Sequence, residues 1–171
     1  MTLAFSTQIA NNPTYFPEKI LSSLVFNYPD YDWQEFERMI DLLPQYYECT
    51  LGDFNLKQHT IREDSKNKWK QGNKIHFVIN NRTKKRFQFA PVFKCVSIQE
   101  IKIEEKIMTT YDCAKLNSGR VFTVQIDNKY LSYYRISELA INDGFDSVEA
   151  FFEYFNKDFK GKIIHWTDLK Y

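Results

Sequence analysis

The chain has 171 residues, 43% of them hydrophobic and 26% charged, which is enough apolar material to close one core and excludes a disordered chain. Net charge at neutral pH is only +1, so bulk charge does not mark a nucleic-acid or membrane binder. The sum conceals a segregation: residues 1–56 hold 2 basic and 8 acidic side chains, residues 57–86 hold 10 and 2, and residues 87–171 hold 11 and 12.

Leu3 to Ser6 is short and apolar enough for an opening strand, and Asn11-Asn12-Pro13 then breaks the chain. Thr14 is placed to cap a first helix carrying Phe16, Ile20, Leu21, Leu24 and Val25 at helical spacing, with Pro17 and Glu18 in its first turn. A second helix is predicted over 32–43, with Trp33, Phe36, Ile40 and Leu43 as its apolar stripe and Pro44 as its stop. Residues 57–61 read as a short strand or turn, and 63–70 as a polar loop. From Lys74 the pattern is β: 75–79, 86–90, 92–104 and 121–126, with a hairpin turn at 80–83. Helices follow at 134–142 and 147–156, separated by Asp143-Gly144-Phe145-Asp146, with Gly144 ending one and Asp146 or Ser147 capping the next. Residues 162–166 form a last strand. These elements predict an α+β chain, a single domain over 1–171 with a small mixed β-barrel, flanking helices, an N-terminal helical extension and a helical insert at about 27–55.

No apolar run reaches the roughly 20 residues that span a bilayer, and Met1-Thr2-Leu3-Ala4 does not open a signal peptide. A cytoplasmic location with no membrane contact is expected. Cys49, Cys95 and Cys113 are odd in number, far apart and in no CxxC pair, which predicts reduced, buried thiols. His59, His76 and His165 have no metal-ligand spacing, and neither a glycine-rich phosphate loop nor a Gly-x-Ser-x-Gly elbow is present, so no metal or cofactor is expected.

The densest polar chemistry lies at residues 57–72. On an extended segment Lys57 and His59 face one way and Thr60 and Arg62 the other, so a turn is needed before Lys57 and Thr60 can converge. The basic run Lys66, Lys68, Lys70, Lys74, Arg82, Lys84, Lys85 and Arg86 is interleaved with aromatic residues. That combination suits phosphate contacts plus base stacking, with Trp69 as the stacking candidate and Phe87 and Phe89 as core. Trp33 and Trp166 read as core or groove-lining residues. The acidic N-terminal helices offer a surface for a protein partner.

Lys57-x-x-Thr60-x-Arg62, followed by Trp69-x-x-Gly72, by strands, by Asp143-Gly144-Phe145 and by a closing strand with Ile164-x-Trp166, resembles the ASCH (activating signal cointegrator homology) family. Residues 13–20 correspond to the family's first helix; the insert at about 27–55 departs from its pattern. The resemblance implies a PUA-like barrel with a cleft for RNA or a modified nucleoside, lined by Lys57, Thr60, Arg62 and Asp143; with the basic run beside it, the expected binding residues are Arg62, Lys66, Trp69, Lys70, Arg82 and Lys84. It also implies an alternative, an amidohydrolase removing the acetyl group from N4-acetylcytidine-type nucleosides. In that role Lys57 is the base, Thr60 the nucleophile and Asp143 the carboxylate, where that branch carries the longer Glu. The chemistry is coherent: a neutral lysine accepts a hydroxyl proton when cations such as Arg62, or burial, lower its pKa.

Overall fold

The computed structural model describes residues 1–43, 55–107 and 113–171. In chain order its elements are β1 (Thr2–Ala4), β2 (Gln8–Ile9), β3 (Asn12–Pro13), α1 (Phe16–Asn27), α2 (Trp33–Asp41), β4 (His59–Arg62), β5 (Lys74–Ile79), β6 (Phe87–Gln88) and β7 (Phe93–Lys94). They continue with β8 (Ser97–Lys106), β9 (Ala114–Lys115), β10 (Val121–Ile126), β11 (Lys129–Tyr130), α3 (Tyr133–Asn142), α4 (Val148–Tyr154) and β12 (Phe159–His165). The fold is α+β.

The larger sheet has the order β11-β10-β8-β12-β4, with β9 also on β10, and curls into a half-barrel. Period-two patterning builds it. Along β8, Gln99, Ile101 and Ile103 are buried while Glu100 and Lys102 are exposed, so one face meets the core and the other meets water. Antiparallel register sets Ile101 opposite Ile126 and Ile103 opposite Val124. Among the described residues, β4 and β11 are the edges of this sheet and do not pair with each other. The smaller sheet has the order β1-β5-β6, with β7 also on β5 and β1 parallel to β5. Its inward side chains include Leu3, Ile75, Phe77 and Ile79.

Helix α1 lies inside the fold, with every residue from Phe16 to Leu24 buried. Tyr15, in the left-handed conformation at φ 51°, occupies the N-cap position instead of Thr14. The Thr14 hydroxyl instead donates to the Ser6 carbonyl at 2.7 Å and accepts from the Phe16 N–H at 3.4 Å. Helix α2 is capped by Asp32, which accepts from the Gln34 N–H. Trp33, expected inside, is 46% exposed and stacks on Phe36. Pro44 and Cys49 lie outside the described residues. Ser147 caps α4 by accepting from the Ala150 N–H.

Two readings of the strands change. The run 92–104 divides at Cys95-Val96, because the Cys95 N–H donates to the Asn73 carbonyl and the Val96 N–H to the His165 carbonyl, so the chain changes from the small sheet to the large one there. The hairpin formed by β2 and β3 was not expected. Its turn places Ala10 and Asn11 at φ 48° and 66°, a conformation that Asn tolerates and Ala does not advertise.

Gly161 lies opposite Ile101 in the register, one residue before the β12–β4 pairing begins at Lys162 and Arg62. A Cβ there would lie 2.4 Å from the Arg62 carbonyl oxygen and 2.7 Å from the Phe159 ring. The oxygen belongs to backbone and cannot swing aside. Gly161→Ala is therefore expected to cost about 2–4 kcal/mol, read as a lower urea midpoint; a midpoint unchanged from the wild type would contradict the close approach.

Candidate functional site

Helix α3 ends in a Schellman motif. Gly144, at φ +89°, lets its own N–H bond the Ile141 carbonyl at 2.8 Å and the Phe145 N–H bond the Ala140 carbonyl at 3.0 Å. This turn leaves the carbonyls of Asn142, Asp143 and Gly144 open at the negative end of the helix dipole. Remote donors saturate them. Gln58 N–H donates to Asn142 at 2.8 Å, Lys57 Nζ donates to Asp143, and Lys19 Nζ donates to Gly144 at 2.8 Å. Lys19 also pairs with Asp146 at 2.7 Å.

The Lys57 ammonium and the Asp143 carboxylate, 86 positions apart in sequence, meet at 2.9 Å with side chains only 1% and 5% exposed. Asp143 Oδ1 also accepts from the Ile61 N–H at 3.2 Å and lies 3.5 Å from His59 Nδ1. With the His59 proton on Nδ1, its Nε2 accepts from the Tyr171 hydroxyl at 2.8 Å, and Asn142 Nδ2 donates to that same hydroxyl at 3.0 Å. His165 stacks edge-on against His59, ring centres 5.4 Å apart. Neither His165 nitrogen has a hydrogen-bond partner among the described residues.

Burial pushes the Lys57 ammonium down to about 8, against the opposing pull of Asp143; Arg62 and Lys19 push the same way as burial but less. Desolvation, not the cationic field expected from Arg62, is the leading cause. Burial would raise the Asp143 carboxyl, but the Lys57 charge and the His59 contact outweigh it and hold the carboxyl below its ordinary value. Burial lowers His59 and takes His165 down to about 3.

Access to Lys57 is closed by rings. Its Nζ lies 4.6 Å from the centre of the Phe16 ring and 5.9 Å from that of Phe5. A Cβ on Gly144 would sit 3.0 Å from Lys57 Cδ and 3.1 Å from Phe16, so glycine is needed here for space as well as for φ. A cavity of about 480 Å³ lies beyond Phe16, and one of about 380 Å³ has Phe5 in its lining.

Lys57 and Asp143 are thus brought together, but Thr60 is not joined to them. Its side chain is buried, and its hydroxyl makes no hydrogen bond to Lys57 or Asp143. The strand is straight, with no turn to bring Thr60 round to Lys57. Arg62 also points elsewhere, donating to the Ala4 carbonyl at 2.8 Å with its guanidinium 5.1 Å from the Phe5 ring centre.

Trp69 is a correction: it is 7% exposed and part of the core, not a stacking platform. Asp64 explains this, since its carboxylate accepts from the Lys68 and Trp69 N–H groups at 2.9 Å each and turns the loop inward. Lys66, Lys68, Lys70, Lys74, Arg82, Lys84, Lys85 and Arg86 are all exposed, and none pairs with a carboxylate of the described residues. Outside this segment Arg38, Lys102, Lys106, Arg120 and Arg135 pair with glutamates, whereas the exposed Lys94, Lys115, Lys129, Lys157, Lys160 and Lys170 form no ion pair among the described residues. Lys74 stands directly opposite Lys94 in the β5–β7 ladder, an unfavourable like-charge pair.

Sequence reasoning passed over His59, His165, Lys19, Asn142 and Tyr171. The signal for His59 was its two-residue offset from Lys57, which sets both on one side of an extended chain; for Lys19 it was a lone cation in an apolar helix. No known family model, curated protein or solved structure matches the chain, so the ASCH resemblance rests on its motif residues alone. No helix among the described residues is long and apolar enough to cross a membrane.

The buried histidines set the acid limit of the fold. Because the folded-state His165 value, about 3, lies below the ordinary 6.5, the unfolded chain takes up its proton first, and stability is lost as pH falls from 6.5 toward 3. By pH 4.5 His165 alone accounts for about 2–3 kcal/mol, and His59 adds in the same direction. Urea midpoints at pH 7 and 4.5 should show this drop, and His165→Phe should shrink it. An equal drop in that variant would remove His165 as the cause.

Proposed function

We propose that the chain binds RNA through the cationic surface of residues 66–86 and the adjoining N-terminal segment, within a PUA-like ASCH arrangement. The supporting observation is the clustering of eight exposed cations without carboxylate partners within residues 66–86. They bracket the small sheet: Lys74 stands at one end of β5, opposite Lys94, and the loop 80–86 carries Arg82, Lys84, Lys85 and Arg86 at the other. Unpaired like charges close together at each end repel one another, and an anionic backbone relieves that repulsion. No large aromatic side chain of residues 57–86 is exposed, so this surface holds phosphates rather than reading bases.

Binding dominated by phosphate contacts depends steeply on salt. With about five contacts to a single strand, log K falls against log salt with a slope of about −3.5, roughly a hundredfold between 50 and 200 mM. Fluorescence anisotropy with a short labelled RNA should give that slope, and the triple variant Lys84→Glu, Lys85→Glu, Arg86→Glu should at least halve it. Absence of binding at 50 mM salt, or binding indifferent to salt, would overturn this reading.

A second reading, the deacetylation of an N4-acetylcytidine-type nucleoside, is favoured by one feature: a buried lysine at about 8 touching a carboxylate. A lysine so placed is about one-tenth neutral at pH 7 and about half neutral at pH 8, and the neutral form accepts a hydroxyl proton. Reaction would require Thr60 to reach Lys57 and either Phe5 or Phe16 to move. Acetate release from N4-acetylcytidine between about pH 6 and 9, lost in Thr60→Ala with the fold intact, is the expected result; an unchanged substrate across that range would eliminate this reading.

A further inference from the structure

The cavity of about 480 Å³ beyond Phe16 contains none of the cations of residues 66–86 and none of Lys57, Thr60 and Asp143. The β2–β3 hairpin lines it through Ile9, Asn12 and Pro13, and α4 lines it through Ala150, Glu153 and Tyr154, which recur at helical spacing on one face. Phe16 and Phe145 lie between these elements, 5.9 Å apart at their ring centres, with Tyr154 5.5 Å from Phe145. Its volume falls within the range of small-molecule sites, and three rings in its lining favour a flat partner.

The polar groups select the partner further. Lys19 is committed to the Gly144 carbonyl and to Asp146. Asp146 keeps an 83% exposed side chain, and Glu153 is exposed with no ion-pair partner among the described residues. The uncommitted charge in this lining is therefore the Glu153 carboxylate, which repels a phosphate and accepts from an amine. The second cavity, of about 380 Å³, is lined by Phe5, Thr7, Gln8, Asn80 and Asn81. It joins the start of the cationic loop to the chain segment leading into the hairpin.

We infer that the groove between the β2–β3 hairpin and α4 takes a nucleobase bearing an exocyclic amine, as adenine, cytosine and guanine do and uracil does not, against Tyr154 with the amine toward Glu153. This deepens, and rests on, the RNA reading: the cationic loop holds the backbone, and the groove supplies the base preference that the loop lacks. Uracil, which offers a carbonyl where adenine and cytosine offer an amine, sets acceptor against acceptor and is disfavoured.

The test uses labelled A8, C8 and U8 oligoribonucleotides in anisotropy, and free adenosine, cytidine and uridine followed through the aromatic NMR signals of Tyr154 and Phe145. A8 and C8 should bind at least about tenfold tighter than U8. Glu153→Gln, which supplies a donor as well as an acceptor, and Tyr154→Ala should each bring the three to within about twofold while the salt slope stays. Equal affinity in the wild type, or a preference surviving both substitutions, would overturn the groove assignment. The two readings fail separately. Salt-dependent binding without base preference removes the groove alone, nucleoside binding without oligonucleotide binding removes the cationic surface alone, and silence in both assays removes both.

Discussion

The structure depends on the saturation of one helix end. The last carbonyls of α3 point into the protein rather than into water, and an unmet buried carbonyl costs about 1–3 kcal/mol. Two lysines and one backbone amide, from residues 19, 57 and 58, meet three of them. That single junction ties α1, the segment leading into β4, and the α3–α4 turn together, and it explains the burial of two cations in a chain this small. Lys57 then needs a counter-ion, and Asp143 supplies it from the very turn that Lys57 caps. A buried ion pair of this kind adds little net stability over an apolar one. Its effect is to specify which segments meet.

The same junction separates two electrostatic regimes. Inside, burial moves titratable groups from their ordinary values, whether the group is paired, as Lys57 is, or without a hydrogen-bond partner among the described residues, as His165 is. Outside, the cations of residues 66–86 are solvated and lack carboxylate neighbours, so their field reaches about one Debye length, roughly 8–10 Å, into solution. Near-zero net charge is therefore compatible with an anionic partner, because α2 and its flanks carry Asp30, Asp32, Glu35, Glu37 and Asp41 in a different part of the chain.

The helices and the long strands were legible in the sequence because each carries its own period: β10 is found at 121–126 as read, and α3 differs by one residue. The contact of Lys57 with Asp143 was legible only through a motif, since no local rule joins positions 57 and 143. Trp69 was misplaced for a specific reason. Its neighbours are polar, but Asp64 uses two backbone amides to turn them outward and the indole inward, and side-chain capping of a loop has no periodic trace. The β2–β3 hairpin was hidden because Ala10 occupies a left-handed position where Asn or Gly would have marked the turn. Lys19 was hidden in its helix because its partners, the Gly144 carbonyl and the Asp146 carboxylate, lie 125 and 127 positions away.

The rings around Lys57 bear on what the site does. Phe16 and Phe5 each contact the ammonium and each face a cavity, one on either side. A lysine in contact with ring faces is stabilised in its charged form by the ring quadrupole, which works against the neutral form that hydroxyl activation needs. Rotation of Phe16 would both admit a ligand and remove that stabilisation, lowering the lysine further while exposing it to water, which raises it again. These opposing effects keep the closed arrangement self-consistent: the lysine stays charged and capping while the rings cover it. In this closed form Lys57 is a structural cation that caps the end of α3.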